Sequence, residues 1–136
     1  MLKKSVAVAA AAAAAGVLAL SGTAEAAATA SNTRTQYLAA NPGSYMATSC
    51  TTRDIYLASG TYTWSWVPTE TNARDIYLGA ATYTWKDCLV PKDGYYVQTS
   101  TLQAQGTNWA PATVSHNLAI YTTGTWTWGS LLDPHF

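Results

Sequence analysis

The sequence predicts an all-β fold, a compact sandwich or barrel of repeated β-hairpins with about eight to ten short antiparallel strands and one disulfide. Three observations predict it. A twelve-residue motif starting at Arg53-Asp54-Ile55-Tyr56-Leu57 recurs 21 residues later from Arg74, with nine of its twelve positions identical. The motif alternates in polarity and uses Ile, Tyr, Thr and Trp, side chains that suit a pleated surface, and no window beyond residue 26 sustains a helical period. The chain holds two cysteines, Cys50 and Cys88.

With 136 residues, the chain has room for one domain and a leader. Residues 1–26 read as a secretory signal peptide: Lys3 and Lys4, an Ala-rich apolar run, then Ala24-Glu25-Ala26 at a cleavage site. The uncharged run from Ser5 to Ala24 is 20 residues, nominally a bilayer span. Its alanine content and the lack of a following basic cluster favour export with cleavage, hence a secreted protein with no membrane attachment afterwards. In an oxidising compartment Cys50 and Cys88 are expected to form a disulfide. The bridge would close a loop spanning 38 positions, for which chain entropy assigns about 4 kcal/mol.

From Ala27 onward five basic side chains face six acidic ones, a formal charge of −1 with His neutral. Such a surface steers toward neither nucleic acid nor an anionic membrane. Residues 27–36 are small and polar and read as a flexible N-terminal arm carrying Arg34.

Residues 37–136 read as the β domain, in hairpin repeats of about 20 residues. The clearest copies are Arg53–Trp64 and Arg74–Trp85. A looser one is Ala119–Trp128, a degenerate one Tyr37–Tyr45, and Tyr95-Tyr96-Val97 marks a further start. With a two-residue turn at Ser59-Gly60, Ile55 would face Trp64 and Leu57 would face Tyr62. Ile55, Leu57, Tyr62, Trp64 and Trp66 then point inward; Asp54, Tyr56, Thr61, Thr63 and Ser65 point outward. The second copy sorts Ile76, Leu78, Tyr83 and Trp85 inward, with Tyr77, Thr82 and Thr84 outward. Cys50 and Cys88 each follow a tyrosine (Tyr45, Tyr83) by five residues, so a bridge would join matching corners of separate units and close the array. Gln103–Ser115 reads as the longest loop and carries Trp109.

The sequence shows no catalytic signature. His116 and His135 stand alone, without a nucleophile elbow. Asp54 and Asp75 are repeat-equivalent and are expected to play one local role twice, beside Arg53 and Arg74 or at the strand start. No metal-ligand spacing and no phosphate-binding glycine loop occur, so neither catalytic residues, metal nor cofactor are assigned. The functional signal lies in aromatics outside the core: Tyr56 and Tyr77 on the threonine-rich face and Trp109 in its loop. Exposed Tyr and Trp are enriched at interfaces and also stack on sugar rings.

Two readings follow. One is a non-catalytic binding or adaptor protein engaging an extracellular protein, through its outer sheet or through the arm added as a strand. In a variant of this reading, Arg34 would enter a trypsin-like cleft. The other is a small lectin or carbohydrate-binding module; the protein partner is preferred over the glycan. With its Ala-rich leader, Ile-Tyr-Leu and Gly-Thr-Tyr-Thr-Trp motifs, short arm bearing Arg34 and disulfide-closed β domain, the chain resembles small secreted actinobacterial β-repeat proteins. In plan it is similar to the small adaptor subunit of umbrella toxin complexes. That resemblance implies an adaptor joining a lectin-bearing subunit to a toxin stalk, and it assigns no contact residues.

Overall fold

Eight strands carry the described chain: β1 (Ala30–Leu38), β2 (Ser49–Leu57), β3 (Gly60–Val67), β4 (Arg74–Leu78), β5 (Ala81–Pro91), β6 (Tyr96–Ala104), β7 (Ala112–Leu118) and β8 (Gly124–His135). They are seen in a computed structural model that describes residues 28–69 and 72–135; the leader expected at 1–26 lies outside the described residues. The strands form two antiparallel four-stranded sheets, ordered β1-β8-β3-β4 and β2-β5-β6-β7. Of the expected all-β sandwich or barrel, the fold is the sandwich.

The inward and outward sorting holds. Leu57, Tyr62, Trp64 and Trp66 are buried, as are Leu78, Tyr83 and Trp85, while Tyr56 and Tyr77 are exposed. Ser65, sorted outward, is buried. The pairing differs from the expected hairpin. Within each copy the two arms lie in opposite sheets, so the motif makes an arch across the core. Alternation fixes which face a side chain takes and does not choose its neighbouring strand, so hairpin and arch share one sequence pattern. True hairpins connect β3 to β4, β5 to β6 and β6 to β7.

The two arches interlock. The first arm of each copy pairs with the second arm of the other: Ile55 opposes Tyr83 while Ile76 opposes Tyr62, and Asp54 opposes Thr84 while Asp75 opposes Thr63. This reciprocity is the self-complementarity of a two-fold interface, here inside one chain. It extends to whole sheets, since the two orders coincide when β2 exchanges with β4, β3 with β5, β6 with β8 and β1 with β7. Each arch tip is braced alike. Tyr62 Oη donates to the Ala58 carbonyl and Tyr83 Oη to that of Gly79, both at 2.6 Å. In the looser copy Trp126 Nε1 donates to the Thr122 carbonyl at 3.2 Å. An aromatic with a polar tip thus satisfies the turn carbonyl while burying its ring.

Between the sheets lie two apolar clusters. One holds the arch residues with Leu102 and Leu132; the other gathers Leu38, Leu89, Tyr96, Leu118, Ile120 and Trp128. Buried polar groups run between the sheets as well: Asn32, Asp87, Gln98, Ser100, His116 and Ser130. Trp85 Nε1 donates to Ser100 Oγ and Ser130 Oγ, each at 3.1 Å. The two serines occupy two-fold-equivalent positions and meet at 3.0 Å.

Three further sequence expectations are corrected. Residues 30–36 of the supposed arm form β1, paired along β8 from Ala30–Leu132 to Leu38–Gly124. The long loop shrinks to residues 105–111, because its ends belong to β6 and β7. The disulfide is formed, but Cys50 and Cys88 face each other on the neighbouring strands β2 and β5, Cα atoms 4.1 Å apart. It staples one sheet and does not close the array, and Tyr45, the supposed counterpart of Tyr83, is 91% exposed. A disulfide is compatible with an extracellular location.

Candidate binding site

The two long sides of the sandwich, where edge strands of the two sheets meet, are finished differently. On the β1–β2 side the edges are laced by side chains. Asn32 Nδ2 donates to the Thr51 carbonyl at 3.3 Å and Arg34 Nη1 to that of Cys50 at 3.0 Å. Arg53 Nη1 returns a bond to the Ser31 carbonyl at 2.7 Å, and Ser49 Oγ donates to Gln36 Oε1 at 2.9 Å. Exposed strand edges invite pairing with other chains, and covering them is a common protection.

The β4–β7 side has no such lacing among the described residues. Its two-fold counterparts explain why. Ser130 faces Asn32 and Ser100 faces Val114; Trp128 faces Arg34 and Gln98 faces His116. Val114 therefore stands where β1 has Asn32, and it cannot reach a carbonyl. His116 stands where β1 has Arg34, and it is turned inward: its Nε2 meets Gln98 Oε1 at 2.5 Å and its ring lies on Trp66, centroids 4.5 Å apart. Burial lowers the His116 pKa and keeps the ring neutral. Arg74, the counterpart of Arg53, has no partner among the described residues.

This unlaced side opens into a groove of about 150 Å³ lined by Ile76, Tyr77, Gly79, Leu102, Trp109 and Ala112, among others, with no charged side chain in its wall among the described residues. Trp109 is half exposed yet placed. Gln103 Nε2 donates to its carbonyl at 3.1 Å, and its N–H reaches Thr107 Oγ1 at 3.3 Å. Its ring lies against Gly79, where a Cβ would stand 2.8 Å from the indole. The first copy has Ala58 at this position, so the repeat departs from itself where Trp109 seats.

Of the expected site residues, Tyr77 and Trp109 come together on this groove. Tyr56 lies on the outer face of the other sheet, beside Thr82. Arg34 is held in β1 by its bond to Cys50, so it is no free arm residue. Asp54 and Asp75 do play one role twice, with threonine rather than arginine: Thr84 Oγ1 donates to Asp54 at 3.1 Å and Thr63 Oγ1 to Asp75 at 2.9 Å.

Thr63 also meets His135 Nε2, which lies 3.7 Å from Asp75. Hydroxyl and carboxylate share one ring nitrogen here, whereas a catalytic triad uses both. At the equivalent place in the other sheet Gln105 Nε2 donates to Thr84 at 2.9 Å, and an amide cannot act as a base.

Sequence reading missed Asp87, fully buried on β5. Ser130 Oγ lies 3.0 and 2.9 Å from its two oxygens. Burial pushes its pKa up to about 7, against the lowering effect of bonds from Ser100, Ser130 and Asn32. The Lys86-Asp87 dipeptide alternates like its neighbours, so a carboxylate in the core phase was the available signal. Also missed were Tyr37, Tyr45 and Tyr121, exposed near the opposite end of the sandwich. Comparison with protein-family models, curated proteins and solved structures found no match.

Proposed function

We propose that this is a secreted, non-catalytic binding or adaptor protein that engages another extracellular protein at the open β4–β7 side, with Tyr77 and Trp109 as its main contacts. One observation carries the reading: the chain laces one long side with its own side chains, while among the described residues the equivalent side carries no such lacing and its aromatic groove no charge. Tyr and Trp present large contact area with few rotatable bonds and a polar tip, the features that make them interface anchors. Secretion rests on the leader sequence together with the disulfide. The arm-mediated mode loses its basis, because Ala30–Gln36 already pairs with β8. An adaptor role, which the resemblance to toxin-complex adaptors suggests, would use the same side.

The test is cross-linking of the purified mature chain in producer culture supernatant, followed by mass spectrometry, with a glycan array in parallel. A protein cross-linked to the wild type and lost with Tyr77→Ala/Trp109→Ala, but retained with Tyr56→Ala, supports the reading. Glycan binding lost with the same double variant, and no protein partner, would make the chain a lectin. Hydrolytic turnover abolished by His135→Ala would overturn the non-enzyme reading.

A further inference from the structure

Four strands have an open edge, and they are not alike. β1 and β2 are laced to each other. β4 is five residues long and carries Arg74 and Asp75. β7 is seven residues, Ala112-Thr113-Val114-Ser115-His116-Asn117-Leu118, with no Lys, Arg, Asp, Glu, Pro or Gly. Charges, prolines, bulges and covering segments are the usual guards of an edge, and a long uncharged edge is a template for another strand. Nor does β7 borrow protection from neighbours, since no backbone hydrogen bond outside the sheet ladders reaches it among the described residues.

We propose that β7 is a self-association edge, where a second copy of this chain adds its own β7 antiparallel across a two-fold axis through Ser115. The strand is complementary to itself in that register. Ser115 opposes Ser115, Thr113 opposes Asn117, Val114 opposes His116 and Ala112 opposes Leu118. Thr113, Ser115 and Asn117 are exposed on the outer face, while His116 and Leu118 are buried on the inner one. Outer-face pairs therefore meet as hydroxyl with hydroxyl or amide, and inner-face pairs as apolar group with neutral imidazole or alkyl. Cross-strand Thr and Ser pairs are favourable, and like charges directly opposite are not; β7 has none to oppose. The same operation on β1 sets Arg34 on Arg34 in the centre, which repels. The result is a closed isologous dimer with one continuous eight-stranded sheet, the arrangement expected when both partners offer the same patch. It uses the same open side as the Tyr77–Trp109 reading but rests on the β7 backbone edge and on neither of those two side chains.

The experiment is sedimentation equilibrium of the mature chain over a range of concentrations, with circular dichroism confirming the fold of each variant. The expected result is a concentration-dependent monomer–dimer equilibrium. Ser115→Lys should be monomeric and folded, because it places two ammonium groups face to face. Mixing Ser115→Lys with Ser115→Glu should restore a dimer containing one of each. A wild type that stays monomeric at the highest concentrations overturns the proposal, as does a Ser115→Lys variant that dimerises as the wild type does.

Discussion

Ser130 bonds both oxygens of Asp87, yet no cation faces that carboxylate from the strands around it: β1 offers Asn32, β6 Ser100 and β8 Ser130, while Arg34 and Arg53 are spent on backbone carbonyls. Burial without a counter-charge favours the neutral acid. The folded-state pKa of about 7 lies above the unfolded value of 3.8, so unfolding releases a proton between those limits. Asp87's contribution is therefore fully present at acid pH and is lost as pH rises through about 7. His116 acts in the opposite sense. Its pKa is depressed below 6.5 by burial, so its contribution is present above that value and lost as pH falls. From about pH 6.5 upward the remaining Asp87 loss outweighs the end of the His116 titration, so stability should fall as pH rises toward about 7 and level off above it. Urea unfolding across this range should show that fall in the wild type, and Asp87→Asn should flatten it and be the more stable protein at pH 8. A wild-type curve rising with pH over this interval would contradict the buried, unpaired carboxylate.

At the scale of the element, each arch is a turn closed by its own aromatic. Tyr62→Phe and Tyr83→Phe keep the ring and leave the Ala58 or Gly79 carbonyl without its donor. Each should cost about 1 kcal/mol in urea unfolding, with the two costs similar because the two positions are equivalent. The in-and-out pattern of these elements was legible because Leu57, Tyr62 and Trp64 alternate strictly with polar neighbours. β1 was not legible. Its inner row of Asn32, Arg34 and Gln36 is polar because it faces the buried polar groups and the carbonyls of β2, so it lacks the apolar alternation that marks a strand. The ends of the 103–115 segment were hidden for a related reason, since small Ala and Ser residues give little apolar signal. Tyr77 and Trp109 were legible one by one as aromatics outside the core. Their meeting was not, because it depends on β4 lying beside the 105–111 loop, a neighbour relation that local pattern does not contain.

For the molecule as a whole, duplication and asymmetry have separate consequences. Two copies of one motif make two arches that complete each other, each supplying the partner strand the other needs, which accounts for nine identical positions in twelve. The departures from symmetry then shape the surface. Asn32 and Arg34 lace one side, Val114 and the inward-turned His116 leave the other open, and Gly79 makes room for Trp109. The functional proposal and the self-association edge both arise from that open side. Both depend on the strand partnership that creates it, and cross-strand nuclear Overhauser effects in the labelled protein read that partnership directly. Interlocked arches require backbone contacts of Ile55 with Tyr83 and of Ile76 with Tyr62. Contacts of Ile55 with Trp64 and of Ile76 with Trp85 in their place would mean that each repeat folds back on itself, and the arch account would be wrong.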